Sequence, residues 1–152
     1  MGKLFKNSWA LFLGYGVIML AHGFQGNLLG LRSVLENFNI ITTGIIMSGY
    51  FIGYFTAGNI VPNLVGKVGH IRVFAAFASV ASLSILLHAI FVNPYVWAVG
   101  RFLTGFSMLS IFVVVESWLN DRATNKTRGK VLSIYMVITF TCLALGLSLI
   151  HI

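Results

Sequence analysis

The sequence predicts an all-α integral membrane protein with five transmembrane helices, and three observations predict it. First, 58% of its 152 residues are hydrophobic and only 9% are charged, where soluble domains have roughly 45–50% and 25%. Mean hydropathy is +0.93, and a soluble fold this small exposes too much surface to hide so many apolar side chains. Second, the apolar residues gather into runs of about 20, the length at which a helix crosses a bilayer. Third, most Lys and Arg residues fall between those runs. Barrel strands are excluded, because they need only ~9–11 residues and alternate polar with apolar.

The first span is residues 9–31. Lys3 and Lys6 precede it, as in a signal peptide. Its apolar stretch outruns the ~7–15 residues of a signal core, and no small-x-small cleavage site follows it convincingly, so it reads as a retained span. Residues 36–41 lead to the second span, 42–65. The segment Gly66-Lys67-Val68-Gly69-His70-Ile71-Arg72 then forms a basic turn, its two glycines permitting a tight reversal. The third span is 73–92; Asn93 is placed to cap the fourth, 95–119, with Pro94 in its first turn. Residues 120–130 lead to the fifth span, 131–150. Links this short make successive helices antiparallel neighbours.

Positive charge orients the array. With the N-terminus inside, the inner segments carry Lys3, Lys6, Lys67, Arg72, Arg122, Lys126, Arg128 and Lys130, while the outer links carry no Lys or Arg. Arg32 lies just within the outer end of the first span. Short positive loops stay cytoplasmic, so the N-terminus is expected in the cytoplasm. Small residues at four-residue spacing offer close helix contacts in lipid. They are Gly49, Gly53 and Ala57; Gly26 and Gly30; Ala75 and Ser79; and Ala78 and Ser82.

Polar groups inside the spans are the functional leads, because a charge at a helix centre costs about 2.5–3.5 kcal/mol on insertion scales. Arg101 lies two turns into the fourth span. It either faces a water-filled cavity or a carboxylate, or snorkels to the outer interface. Glu116, ~22 Å further along the same helix, is out of its reach and is expected to meet Lys67, Arg72 or Arg122, with proton or substrate handling as the alternative. Arg32 and Glu36 form an i,i+4 pair, or Arg32 faces a cavity mouth. His22 either shares a proton in coupling or is satisfied by an interhelical hydrogen bond. With Gln25 and Asn27 it makes the most polar section of its span, a candidate for solute contacts. His88, Tyr95 and Trp97 near the outer interface, and Trp9 and Trp118 near the inner one, read as aromatic anchors. Tyr50, Tyr54 and Tyr135 line a cavity or pack.

Other classes are excluded. The motifs CxxC, HExxH, GxSxG and the Walker glycine loop do not occur, so no catalytic residues are expected and the protein is not read as an enzyme. One cysteine and scattered histidines give no credible metal cluster, and no cofactor is called for. Cys142, within an apolar run, is a small packing residue. The net charge of +7 reads as topology signal against an anionic leaflet rather than as a nucleic-acid surface.

Four stretches together carry a likeness. They are Gly26-Asn27-Leu28-Leu29-Gly30-Leu31-Arg32, Thr43-Gly44-Ile45-Ile46-Met47-Ser48-Gly49-Tyr50, Val68-Gly69-His70-Ile71-Arg72-Val73-Phe74, and Val115-Glu116-Ser117-Trp118-Leu119-Asn120-Asp121-Arg122-Ala123. With them the chain resembles, to about Gly146, the N-terminal part of a major facilitator superfamily transporter, most closely a bacterial subfamily of uncharacterised solute transporters. Against that family's loop signature, Leu64, Lys67 and Gly69 match. His70 and Ile71 stand where basic residues are usual, with Arg72 one place later. Gly66 stands where an aspartate is expected and Pro62 where a glycine is. The absent carboxylate implies a different latch, for which Glu116 is a substitute candidate. Arg101 and Gly105 match the family's arginine followed four residues later by glycine. In proton-coupled members that arginine is linked to coupling.

The resemblance implies alternating access by two six-helix bundles rocking about a central site. On it, residues 1–152 form an incomplete N-terminal bundle of a longer secondary transporter in the bacterial inner membrane. Its partners are a small solute, the lipid bilayer and the C-terminal helices that complete the fold, with protons a candidate coupling ion. Substrate or coupling candidates are His22, Gln25, Asn27, Arg32 and Arg101. Gating or latch candidates are Gly66, Lys67, Gly69, His70, Arg72, Gly105 and Glu116. The alternative is a non-transporting multipass scaffold or regulatory protein.

Overall fold

In the computed structural model, residues 2–149 are described, with side chains from Trp9 onward. Among them are five helices: α1 Gly2–Leu35, α2 Ile40–Val68, α3 His70–Ile90, α4 Pro94–Arg122 and α5 Arg128–Ser148. Each expected span lies largely within one of them, and α1, α2 and α4 run several residues past the predicted bounds. Lys3 and Lys6 fall within α1, and their side chains are outside the described set. α3 closes two residues earlier than expected, because Phe91 turns to an extended conformation.

Asparagines set two of the starts. Asn37 takes a left-handed φ of 58° after α1, a conformation that Asn tolerates better than most residues. The Asn39 side chain then accepts from Ile41 N at 3.1 Å and caps α2. Asn93 accepts from Tyr95 N at 2.9 Å and caps α4, as expected, with Pro94 in the first helical position.

Four helices, α2 to α5, are long and apolar enough to cross a membrane. α1 has ample length at 34 residues, but His22, Gln25 and Asn27 dilute its apolar middle. α4 is the enclosed helix: 56% of its apolar window is buried, against 22% for α2, α3 and α5. The outward faces are apolar instead of polar. Phe51, Ile52 and Phe55 on α2 are each more than 60% exposed, which suits a surface covered by lipid chains.

The chain divides into two compact units. The first comprises residues 1–29 and 116–152. In it α1 and α5 meet backbone to backbone: a Cβ on Gly23 would strike the Leu143 carbonyl, and one on Gly146 the Leu20 carbonyl. Tyr15 is fully buried, its ring centroid 5.2 Å from that of Tyr135. Thr139 Oγ1 donates to the Tyr135 carbonyl, so the Tyr15 hydroxyl, 2.8 Å from Thr139 Oγ1, is the donor of that pair. Cys142 packs against Gly16, as a small residue should; a Cβ there would lie 3.3 Å from its Sγ.

The second unit is Gly30–Val115. Ala57, Val61, Val65, Val73 and Val114 form its apolar core. α2 and α4 approach through glycines on both sides. A Cβ on Gly49 would lie 2.9 Å from the Ala98 carbonyl, one on Gly53 would strike the Phe102 carbonyl, and one on Gly105 the Tyr50 carbonyl. The Gly49–Gly53–Ala57 stripe is thus a close contact, as its spacing indicates. The other stripes are not. Gly26 has nothing within 4 Å, Gly30 meets only the tip of Met47, and Ala75, Ser79 and Ser82 are exposed.

The basic turn is shorter than expected. Gly66 and Lys67 remain in α2, and His70 and Arg72 already belong to α3. Only Gly69 reverses the chain, at φ 90° and ψ 154°, a region open essentially to glycine alone. Gly66 sits in open space within the helix and does not make the turn. Gly69→Ala is expected to lower stability by about 1–3 kcal/mol and Gly66→Ala to leave it level or slightly raised. Thermal melts of the two variants in detergent check this.

Candidate functional site

In the second unit the site is built around Arg101. One turn along α4, Gly105 lets the α2 backbone settle against α4 at Tyr50. That contact brings the Tyr50 ring under the guanidinium, with Arg101 Cζ 4.8 Å from the ring centroid. The four-residue spacing of Arg101 and Gly105 therefore has a local cause: the glycine seats the helix that carries the aromatic partner of the arginine.

Arg101 does not snorkel. It is 8% exposed, and its Nε and Nη1 are buried with no hydrogen-bond partner among the described residues. It also meets no carboxylate there, and the Tyr50 ring is its charge partner, an interaction worth about 0.5–2 kcal/mol. Beyond it α4 carries Thr104, Ser107 and Ser110, all fully buried. Thr104 donates to the Gly100 carbonyl at 2.8 Å and Ser110 to the Phe106 carbonyl at 2.6 Å. Ser107 Oγ has no hydrogen-bond partner among the described residues.

Arg32 pairs with Glu36, the first of the two roles considered for it, and is not seen at a cavity mouth; its main contacts are to the end of α3. Its Nε lies 3.4 Å from Glu36 Oε1, while its Nη1 donates to the His88 carbonyl at 2.9 Å. Both terminal nitrogens reach Ala89 O at 3.4 Å. Those carbonyls belong to the last turn of α3, where helix acceptors lack partners and the dipole end is negative. Arg32 is thus a side-chain cap on α3.

His88 and Trp97 are not interfacial anchors, which corrects the expectation. Trp97 is fully buried and His88 nearly so. Trp97 Nε1 donates to the Phe91 carbonyl at 2.6 Å, and the ring packs on Phe38, 5.0 Å between centroids. The two His88 ring nitrogens face the carbonyls of Ser84 and Trp97. Gly100 leaves the room this imidazole needs. Tyr95 and Trp9, by contrast, are well exposed.

In the first unit, Gln25 is buried, its Nε2 without a partner among the described residues, His22 is half-buried and Asn27 is exposed. The polar section of α1 is therefore split between an inward amide and an outward one. Glu116 is exposed and makes no ion pair among the described residues. Arg122, in the same unit, lies over the Trp118 ring at 4.5 Å. Of the loop candidates, Lys67 and Arg72 are exposed and His70 is half-buried. No group of His, Cys, Asp and Glu suited to a metal occurs among the described residues.

Comparison with known proteins agrees with this architecture. The family model for the Major Facilitator Superfamily matches residues 11–152. An uncharacterised MFS-type transporter of Enterobacter sp. (strain 638) is 26% identical over 136 residues, covering 90% of this chain and 36% of that protein. The uncharacterised MFS-type transporter YcaD of Escherichia fergusonii is 27% identical over 140 residues, 92% of this chain and 37% of that protein. Its namesake in Escherichia coli O81 (strain ED1a) is 27% identical over 142 residues, with the same shares. The chain spans little more than a third of the length of these relatives. No solved structure matches it.

Proposed function

The chain belongs to the Major Facilitator Superfamily, a transport fold and not an enzyme class, and on that premise we propose that it is the N-terminal part of a secondary transporter. The parent protein moves a small solute across the bacterial inner membrane by alternating access, with the N-terminus in the cytoplasm. The observation that carries this reading is the placement of a buried guanidinium on the enclosed helix α4, in a body whose outward faces are apolar. A charge so costly to hold in a membrane is retained for work on a solute or a coupling ion. The orientation rests on the eight Lys and Arg residues assigned to the inner segments.

In this reading Arg101, with Gln25, His22 and Asn27 as further candidates, acts on the solute or the coupling ion, while Arg32 is committed to the end of α3. Protons are the coupling ion to test first. Gly105 seats the Arg101–Tyr50 pair, and the α2–α3 turn with Gly66, Lys67, Gly69, His70 and Arg72 takes part in gating. The absence of an acid at Gly66 leaves Glu116, exposed and without an ion pair among the described residues, as the candidate carboxylate.

The test is uptake by proteoliposomes containing the natural gene product that bears this chain, with a panel of labelled solutes and imposed pH gradients of both signs. Saturable uptake is expected, with Arg101→Met reducing it by about a hundredfold or more while insertion and yield are unchanged. No flux of any solute, with Arg101→Met indistinguishable from the parent in every assay, would favour the non-transporting scaffold.

A further inference from the structure

We propose that Arg101 is the binding group for an anionic solute, so that the substrate class is a small molecule carrying an oxyanion, carboxylate or phosphate. This rests on the transport reading and narrows it. The starting point is a charge that does not balance. Arg101 is 8% exposed, its guanidinium stays protonated, and its buried Nε and Nη1 have no acceptor among the described residues. Its unit, Gly30–Val115, contains one carboxylate, Glu36, and that one is held by Arg32.

Among the described residues, the compensation given to Arg101 is the Tyr50 ring. An aromatic face attracts a cation and uses none of its hydrogen-bond donors, so those donors stay available. A structural arginine looks different, and this chain supplies the comparison. Arg32, which caps α3, donates to two carbonyls and a carboxylate. Arg101 is positioned and desolvated, yet its donors are unspent. Buried donors in that state are what an arriving oxyanion satisfies, because charge-assisted hydrogen bonds are the strong ones and Arg fits planar oxyanions well.

The experiment uses the natural gene product in lipid nanodiscs and follows its melting temperature. The probes are succinate, benzoate and inorganic phosphate, with succinamide and benzamide as uncharged counterparts. Without any probe, Arg101→Met is expected to melt several degrees above the parent, since removing an uncompensated buried charge stabilises. At least one anion is expected to raise the melting point of the parent while the amides do not. Arg101→Met is expected to weaken that anion by about thirtyfold or more, with Arg101→Lys intermediate.

Three results of this experiment would overturn the proposal. One is a probe-free Arg101→Met protein that melts below the parent, meaning that a carboxylate elsewhere in the protein already pairs the guanidinium. The second is stabilisation by the amides equal to that by the acids. The third is no response to any anion. Should Arg101→Met fail to fold, Arg101→Gln, polar and uncharged, carries the same readouts. Saturable uptake of an uncharged solute would sink this inference and leave the transport reading standing. Anion binding with no flux of any solute would do the reverse.

Discussion

Alanine at Gly53 is expected to cost the protein about 3 kcal/mol or more, at the upper end of what overpacking does. The added methyl would run into the Phe102 carbonyl, with Phe102 C and Phe106 N at 2.8 and 2.9 Å. These are backbone atoms of α4, which no rotamer change can move aside. The helices must separate, and with them goes the seating of Tyr50 beneath Arg101. Gly44, in the same helix, has nothing within 4 Å. There the same substitution should stabilise by up to about 1 kcal/mol, because alanine holds a helix better than glycine. Melting both variants side by side in detergent checks the pair. Equal effects at the two positions would mean that α2 and α4 do not meet at Gly53.

Trp97→Ala is expected to cost about 3–5 kcal/mol, the usual range for emptying a buried aromatic site. Trp97 is fully buried and stands at a junction. Phe38 packs on it, His88 meets its edge, and Arg32 Cζ lies 5.6 Å from its centroid. Its Nε1 also holds the Phe91 carbonyl, where α3 ends. Trp97→Phe keeps most of the packing and loses that hydrogen bond, so about 1 kcal/mol is expected. Denaturant or thermal unfolding of the two variants separates packing from hydrogen bonding. A Trp97→Ala protein as stable as the parent would return Trp97 to the lipid interface, where the sequence reading put it.

That reading of Trp97 shows where sequence information ends. Helices α2 to α5 were legible because a run of about 20 apolar residues has few other uses, and Asn93 was legible because its cap chemistry is local. Arg101 stood out because a charge is rare inside such a run. Partners were not legible in the same way. An aromatic residue near a helix end suits a lipid headgroup region and a buried junction equally, so Trp97 and His88 were assigned to the wrong one.

Glycine pairing was ambiguous for a related reason. With 16 glycines in the chain, spacing finds stripes but does not say which helix each one touches. Gly49 and Gly53 were found, while the α1–α5 contact was missed. Gly16 and Gly23, seven apart and so on one face of α1, were its available signal. In sequence Gly105 is only half of a motif; its packing against the Tyr50 backbone depends on which helix lies opposite.

The one-residue linker at Gly69 bears on how the protein is made. α2 and α3 are each long and apolar enough to cross a membrane, yet a single non-helical residue joins them. There is no slack through which one helix could be threaded while the other waits. Lys67 and Arg72 flank that residue closely, so any inversion during synthesis would drag both charges through the lipid together. The two helices therefore acquire their direction in one decision, and misinsertion of either is misinsertion of both. A tag or a protease site spliced in at Gly69 would undo that coupling, whereas residues 123–127, between α4 and α5, offer a longer and more forgiving place for one.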